Sequence, residues 1–285
     1  MSESAIVKTD DTDLNNQIVK AAESLQQLAL DLDEETADKL LELAQATAPT
    51  IKGVEGDAAS AKVTQVFLRQ PSSASPNIPN DCKIGNFYSS DGRTLGGSFT
   101  FIPILTHAIR RKWGDDTIDC SSLDGKVGTR YGDCNACPHG RFDGGAPACS
   151  SGRTYYGVTE DLTGLYRVDF LKSHAKAGRN ILKLALAPAL WSRSFEIKCE
   201  NHTGNSRNYY SMNAVPTGNR TDETTMQVCD ALHDFFSAVY QQAVNRQTAY
   251  LERLKNGDNM GSATPVIDIE IDDDGSNVVD FSDSM

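Results

Sequence analysis

The chain of 285 residues lacks any apolar run near the ~20 residues that a bilayer-spanning helix needs. Met1 to Asp13 contain neither a basic start nor an apolar stretch, so no secretory leader is read there, and a cytoplasmic setting is expected. In a reducing compartment cysteines bind metal or stay free rather than pair as disulfides. Catalytic signatures are missing too. There is no phosphate-cradling Gly-x-x-x-x-Gly-Lys loop, no His-Glu-x-x-His and no Gly-x-Ser-x-Gly. None of the five histidines begins the His-x-Glu of the zinc deaminases. The acids of the middle are scattered, without the clustered carboxylates that hold hard cations for phosphoryl transfer. The chain is therefore expected not to be an enzyme.

What is present is an uneven charge. The net −12 averages three different regions. Residues 1–60 hold four Lys+Arg against thirteen Asp+Glu, a net of −9. Residues 251–285 hold two against nine, a net of −7. Residues 61–250 hold 21 against 17, a net of +4. A mildly basic core between acidic ends is compatible with nucleic acid, although the average is not.

Three regions follow from the pattern: an acidic helical arm and linker over 1–60, a core over 61–255, and an acidic tail over 256–285. In the arm, Leu14, Ile18, Ala21, Leu25 and Leu28 recur at helical spacing. Asp33 is placed to cap a second helix, with Glu34 and Glu35 in its first turn and Pro49 as its stop. The arm either docks a partner or packs on its own core. From Val63 the pattern changes to short strands: Val63–Leu68, Ile84–Ser89, Leu95–Leu105, Thr154–Thr159 and Leu165–Phe170. Ser173 is expected to cap a helix to Ala187, and Thr221 a long helix to about Lys255. Ser194–Cys199 and Asn208–Val215 read as a hairpin. This is an α+β chain, with an OB-like β-barrel preferred to a sandwich for the core. The tail, rich in aspartate, is expected to be disordered when free.

Residues 113–152 carry the spacing Cys120-x13-Cys134-x2-Cys137-x11-Cys149. A Cys-x-x-Cys turn presents two thiolates to one ion, and two flanking cysteines complete the tetrahedron of a structural zinc. Asp124-Gly125, Gly132-Asp133 and Gly144-Gly145-Ala146-Pro147 suit the turns of a zinc ribbon, whose folding energy would come from the metal. His139 is an alternative to one of the cysteines. Cys82, Cys199 and Cys229 are left over, Cys229 as a buried thiol.

Single strands are held by aromatic platforms and cations. Tyr88, Trp113, Tyr156 and Tyr210 adjoin turns or basic clusters and are the candidate platforms. Arg93, the run Arg110-Arg111-Lys112, and Arg153 are the neighbouring cations. In an alternating strand half of such rings face inward. Lys172, Lys176, Arg179 and Lys183 are spaced four, three and four, one stripe of a helix whose other face holds Ala177, Ile181 and Leu184. The stripe either tracks a phosphate backbone or is a solvated face. In the tail, Asp272, Asp273, Asp274 and Asp280 surround apolar residues, with Phe281 as anchor of a docking peptide or within a solubility tail.

Three features together resemble the single-stranded DNA-binding proteins of tailed bacteriophages. The first is Val66-Phe67-Leu68-Arg69, Lys83-Ile84-Gly85-Asn86-Phe87-Tyr88 and Phe101-Ile102-Pro103-Ile104 with Trp113 after them. The second is Cys120-Ser121-Ser122-Leu123-Asp124-Gly125 leading into Gly132-Asp133-Cys134-Asn135-Ala136-Cys137-Pro138 and Cys149. The third is the acidic tail with its near-terminal phenylalanine. The resemblance implies an OB-type core that coats DNA during replication or recombination in an infected host cell. It also implies tail contacts to a polymerase, primase or helicase. The chain departs from a zinc-containing phage protein of this class in offering four cysteines rather than one histidine and three cysteines. The competing class is a zinc-containing transcription or polymerase accessory factor, in which the acidic arm and tail make the contacts.

Overall fold

A computed structural model describes residues 11–45, 63–71, 78–114, 118–142, 144–185, 188–203, 208–255, 268–272 and 276–280. The linker expected at 50–62 lies outside them, as do Asp273, Asp274 and Phe281.

Two helices open the chain, α1 (Asp11–Asp31) and α2 (Glu34–Gln45). Asp33 caps α2 as its position demands, its Oδ1 accepting from the Thr36 amide at 3.0 Å. Strands β1 (Thr64–Leu68), β2 (Phe87–Ser89), β3 (Thr94–Gly96) and β4 (Ser98–Trp113) follow. The cysteine segment forms β5 (Ile118–Ser122), β6 (Val127–Gly128), β7 (Gly132–Asp133) and the start of β8 (Cys149–Val158). Then come β9 (Leu165–Leu171), α3 (Ala175–Leu184), β10 (Arg193–Thr203), β11 (Asn208–Arg220) and α4 (Glu223–Lys255).

Nine strands form one strongly curled, half-barrel sheet in the order β11-β10-β4-β8-β9-β1-β2-β3, with β5 added on β4. All pairings are antiparallel except β1 with β9. The long β4 is the spine. It pairs with β10 through Ser98 to Phe101, with β8 from Ile102 to Lys112, and with β5 from Arg110 to Trp113.

Alternation along β4 divides two cores. Phe99 and Phe101 point inside the curl, where they meet Val66, Phe87, Tyr155, Phe170, Phe195 and Met212. That one cluster joins residues from both ends of the strand order, which is what the curl accomplishes. Ile102 and Ile104 face the other way, onto Leu25, Leu40, Leu232 and Phe236 of α1, α2 and α4. The arm therefore packs on its own core.

The near-closure of the curl has its own bonds. The Gln70 side chain donates to the Tyr210 carbonyl (2.9 Å) and accepts from the Tyr210 amide (3.1 Å). The Tyr210 ring lies over Gly85, where a Cβ would come within 2.9 Å of it. One residue pair further along β11, the Met212 amide donates to His174 Nδ1 at 3.1 Å.

Three expectations need correction. The helix after β9 begins at Ala175 with His174 as cap, because Lys172–His174 first form a 3₁₀ turn, and it ends at Leu184 rather than Ala187. Leu184 is exposed, and Gly178 takes the buried place beside Ala177 and Ile181. The long helix is capped by Asp222, whose carboxylate accepts from the Thr225 amide and hydroxyl (2.9 and 2.7 Å), while Thr221 donates to the Trp191 carbonyl. Within the tail expected to be disordered when free, the described segments Asp268–Asp272 (β12) and Ser276–Asp280 (β13) pair antiparallel, Asp268 opposite Asp280 and Asp272 opposite Ser276. The alternation Asp-Ile-Glu-Ile-Asp is a strand pattern that net charge alone conceals.

Candidate metal centre and nucleic-acid surface

The four spaced cysteines come together. Lys112 of β4 is paired with Cys120 on one side and Cys149 on the other, so β5 and β8 deliver two of them to one row of the sheet. The turn after β7 brings Cys134 and Cys137 to the same place. All four line one small cavity together with Arg110, Gly128, Tyr131 and His139. Gly128 is there because nothing larger fits: a Cβ would sit 2.8 Å from Cys120 Sγ and 3.6 Å from Cys134 Sγ. The Arg130 amide points at Cys120 Sγ from 3.5 Å. Arg110 ties the loop down, donating to the Cys134 carbonyl at 2.7 Å. Burial first, and then the Cys134, Cys120 and Cys137 sulfurs, push the Cys149 thiol up. Cys134 is raised by burial as well. Raised in this way, the Cys134 and Cys149 thiols hold their protons unless a cation lies beside them.

The donor set and its shared cavity suit a soft divalent ion. As they stand, however, the four sulfurs do not form a ready coordination shell. Among the described residues no group of three or more His, Cys, Asp or Glu side chains is arranged to hold a metal. His139 lies 4.6 Å from the Tyr131 ring, centroid to centroid. The three other cysteines are free and lie apart from this cavity: Cys82 and Cys229 are buried, and burial drives the Cys229 thiol far up.

The candidate nucleic-acid residues divide sharply. Arg111 is buried, its Nη2 2.7 Å from Asp169. Tyr88 is buried and stacked on Phe67 at 5.3 Å. Tyr156 is half-buried, 5.6 Å from the ring of His107, which itself stacks on Tyr240 of α4. Arg93 pairs with Asp91 at 2.7 Å, and Arg153 donates to Thr106 at 3.1 Å. Lys112 pairs with Asp119, which also takes Arg130 and the Tyr131 hydroxyl (2.7 Å). These partners, Lys112 first, hold the Asp119 carboxyl down at about 2. Tyr210 is half-buried and occupied with Gly85 and Gln70.

The α3 stripe remains. Lys172, Lys176, Arg179 and Lys183 are all exposed. Among the described residues none of them forms an ion pair with a carboxylate. The helix beneath them is held by Ala177, Gly178 and Ile181, and by the Tyr155 hydroxyl donating to the Gly178 carbonyl at 2.6 Å. Lys172 reaches Trp113, its Nζ 5.8 Å from the ring centroid. Trp113 is half-buried at the end of β4.

Three exposed rings, Tyr131, Phe142 and Tyr209, were missed in the sequence. Tyr131 is flanked by Lys112 and Arg130 at 5.3 and 5.7 Å, and Tyr209 stacks on His202 at 4.8 Å. The adjacency Arg130-Tyr131 was the available signal for Tyr131. For Tyr209, strand alternation sends Tyr209 and Tyr210 to opposite faces, and the sequence does not say which is outermost.

No protein-family model, curated protein or solved structure matches the chain. Among the described residues, no helix is long and apolar enough to cross a membrane.

Proposed function

We propose that this chain binds single-stranded DNA without catalysing any reaction, as a coating protein of replicating or recombining phage DNA. The observation that carries this reading is a cluster of exposed cations, Lys176, Arg179 and Lys183 on α3 and Lys172 in the turn before it, which among the described residues form no ion pair with a carboxylate. Lys172 and Lys176 stand at the N-terminal end of α3, where the helix dipole disfavours positive charge. A phosphate backbone along the stripe would relieve both the repulsion and the dipole. The curled sheet and its near-closure at Gln70 and Tyr210 support the finer reading of an OB-type barrel, the fold most used to hold single strands.

The cysteine cavity is read as the seat of one structural zinc, held by Cys120, Cys134, Cys137 and Cys149. Four thiolates leave no open position, so the ion would supply folding energy rather than chemistry. It would tie β5, β8 and the Cys134–Cys137 turn around Lys112. The acidic tail, including Asp272 and Asp280, is read as the segment that recruits a polymerase, primase or helicase.

The test is fluorescence anisotropy with a labelled oligothymidine and a matched duplex. Neutralising one phosphate of a single strand contributes about −0.7 to the slope of log K against log salt. Four stripe contacts therefore give a slope of about −3, a loss of about fifty-fold between 50 and 200 mM salt. A preference for the single strand with this slope supports the reading. Failure to bind either polymer refutes it and favours the polymerase or transcription accessory factor.

A further inference from the structure

We propose that Trp113 is the base-stacking platform of the α3 surface, and that Lys172 covers its ring until a nucleobase displaces the ammonium towards a phosphate. The inference rests on the single-strand reading above. The other rings singled out from the sequence as platforms are already engaged: Tyr88 on Phe67, Tyr156 beside His107, and Tyr210 over Gly85. The second tryptophan, Trp191, is buried against His233 in the helix-facing core. Trp113 is half-exposed and touches the stripe directly, through Lys172.

A second observation is independent of the ring contact. Lys172 has φ of 51°. That left-handed conformation is disfavoured for any residue with a Cβ and favours glycine. If the chain needed only a turn between β9 and α3, glycine would make it without strain. A lysine there keeps a cation within reach of Trp113. Held strain of this kind collects at binding sites.

The exchange is favourable in direction. An ammonium over an exposed ring is a weak contact, whereas a base on an aromatic ring is a stronger one. Once released, Lys172, in the turn just before α3, adds its charge beside the cation row that begins at Lys176. Stacking and charge neutralisation are thereby coupled at one residue.

The experiment uses the full chain carrying Trp191→Phe, so that Trp113 is the only tryptophan. Oligothymidine is expected to quench its emission in step with the anisotropy change, while an abasic oligodeoxyribose phosphate binds through charge and leaves it unquenched. Trp113→Ala is expected to weaken oligothymidine binding about ten-fold or more, and Trp113→Phe much less. Lys172→Gly is expected to reduce the salt slope by about 0.7. Binding by anisotropy without quenching, or equal quenching by the abasic chain, overturns the platform and leaves the single-strand reading standing. No binding of oligothymidine at all removes both.

Discussion

At the scale of single residues, the middle of Arg110-Arg111-Lys112 shows how little local sequence says about direction. Arg110 holds the cysteine loop, Lys112 meets Asp119, and Arg111 turns inward to Asp169. Asp169 also accepts from Arg167 (3.2 Å), Thr154 (2.5 Å) and Gln65 (3.3 Å). Burial pushes its carboxyl up, but Arg111 and Arg167 outweigh that and hold it far below the usual range. His107, close to this cluster, is pushed down to about 3 by burial and by Arg167. His174 is pushed down to about 4 by burial alone. The folded chain thus keeps both neutral, whereas the unfolded chain takes up protons as pH falls below about 6.5. Stability is therefore complete above pH 6.5 and falls as acid is added, until each folded value is passed. The slope is about 1.4 kcal/mol per pH unit for each histidine. Thermal melts between pH 7 and 4 should show this decline, and His107→Phe, which keeps a ring on Tyr240, should flatten it. Equal slopes in both proteins would contradict the assignment. The cations were legible as a class from the sequence. Which of them faced a buried aspartate was not, because Asp169 lies 58 positions from Arg111 and only the pairing of β4, β8 and β9 brings them together.

Elements were easier to read than directions. The helices, the β8–β9 and β10–β11 hairpins and the cysteine segment all announce themselves through periodicity and turn residues. Their ends were less secure. Asp33 was identifiable as a cap because it directly precedes two glutamates, whereas Thr221 yielded to its neighbour Asp222, the better acceptor at that position. The cysteine segment has almost no buried apolar side chains, since β6 and β7 are two residues each. Its order must come from elsewhere. Changing Cys134 and Cys137 to serine is expected to remove about one equivalent of zinc, read by elemental analysis, and to lower the melting temperature. Wild-type protein without zinc would contradict the metal assignment directly.

At the scale of the whole molecule, charge separates along the chain while the fold brings its parts together. Residues 1–60 carry −9, yet α1 and α2 within them pack on α4 and the sheet as part of the body. Residues 251–285 carry a net −7, and four of their carboxylates, Asp268, Glu270, Asp272 and Asp280, lie in β12 and β13. On the single-strand reading such a segment is expected to compete with phosphate for the cations on and just before α3 when salt is low. Removing residues 262–285 is expected to tighten oligothymidine binding at low salt and to abolish partner recruitment, both measurable by anisotropy and pull-down. Unchanged affinity would dismiss the competition. The curl itself was foreshadowed by many short strands, but its closure through a glutamine side chain was not, because no pattern marks residue 70 as facing residue 210.

That closure bears on how many copies can share one polymer. β11 ends the strand order, and a bare terminal strand invites another chain to zip onto it. Here the Tyr210 amide is taken by Gln70 and the Met212 amide by His174. Neighbours crowded along a filament would find those two donors spoken for.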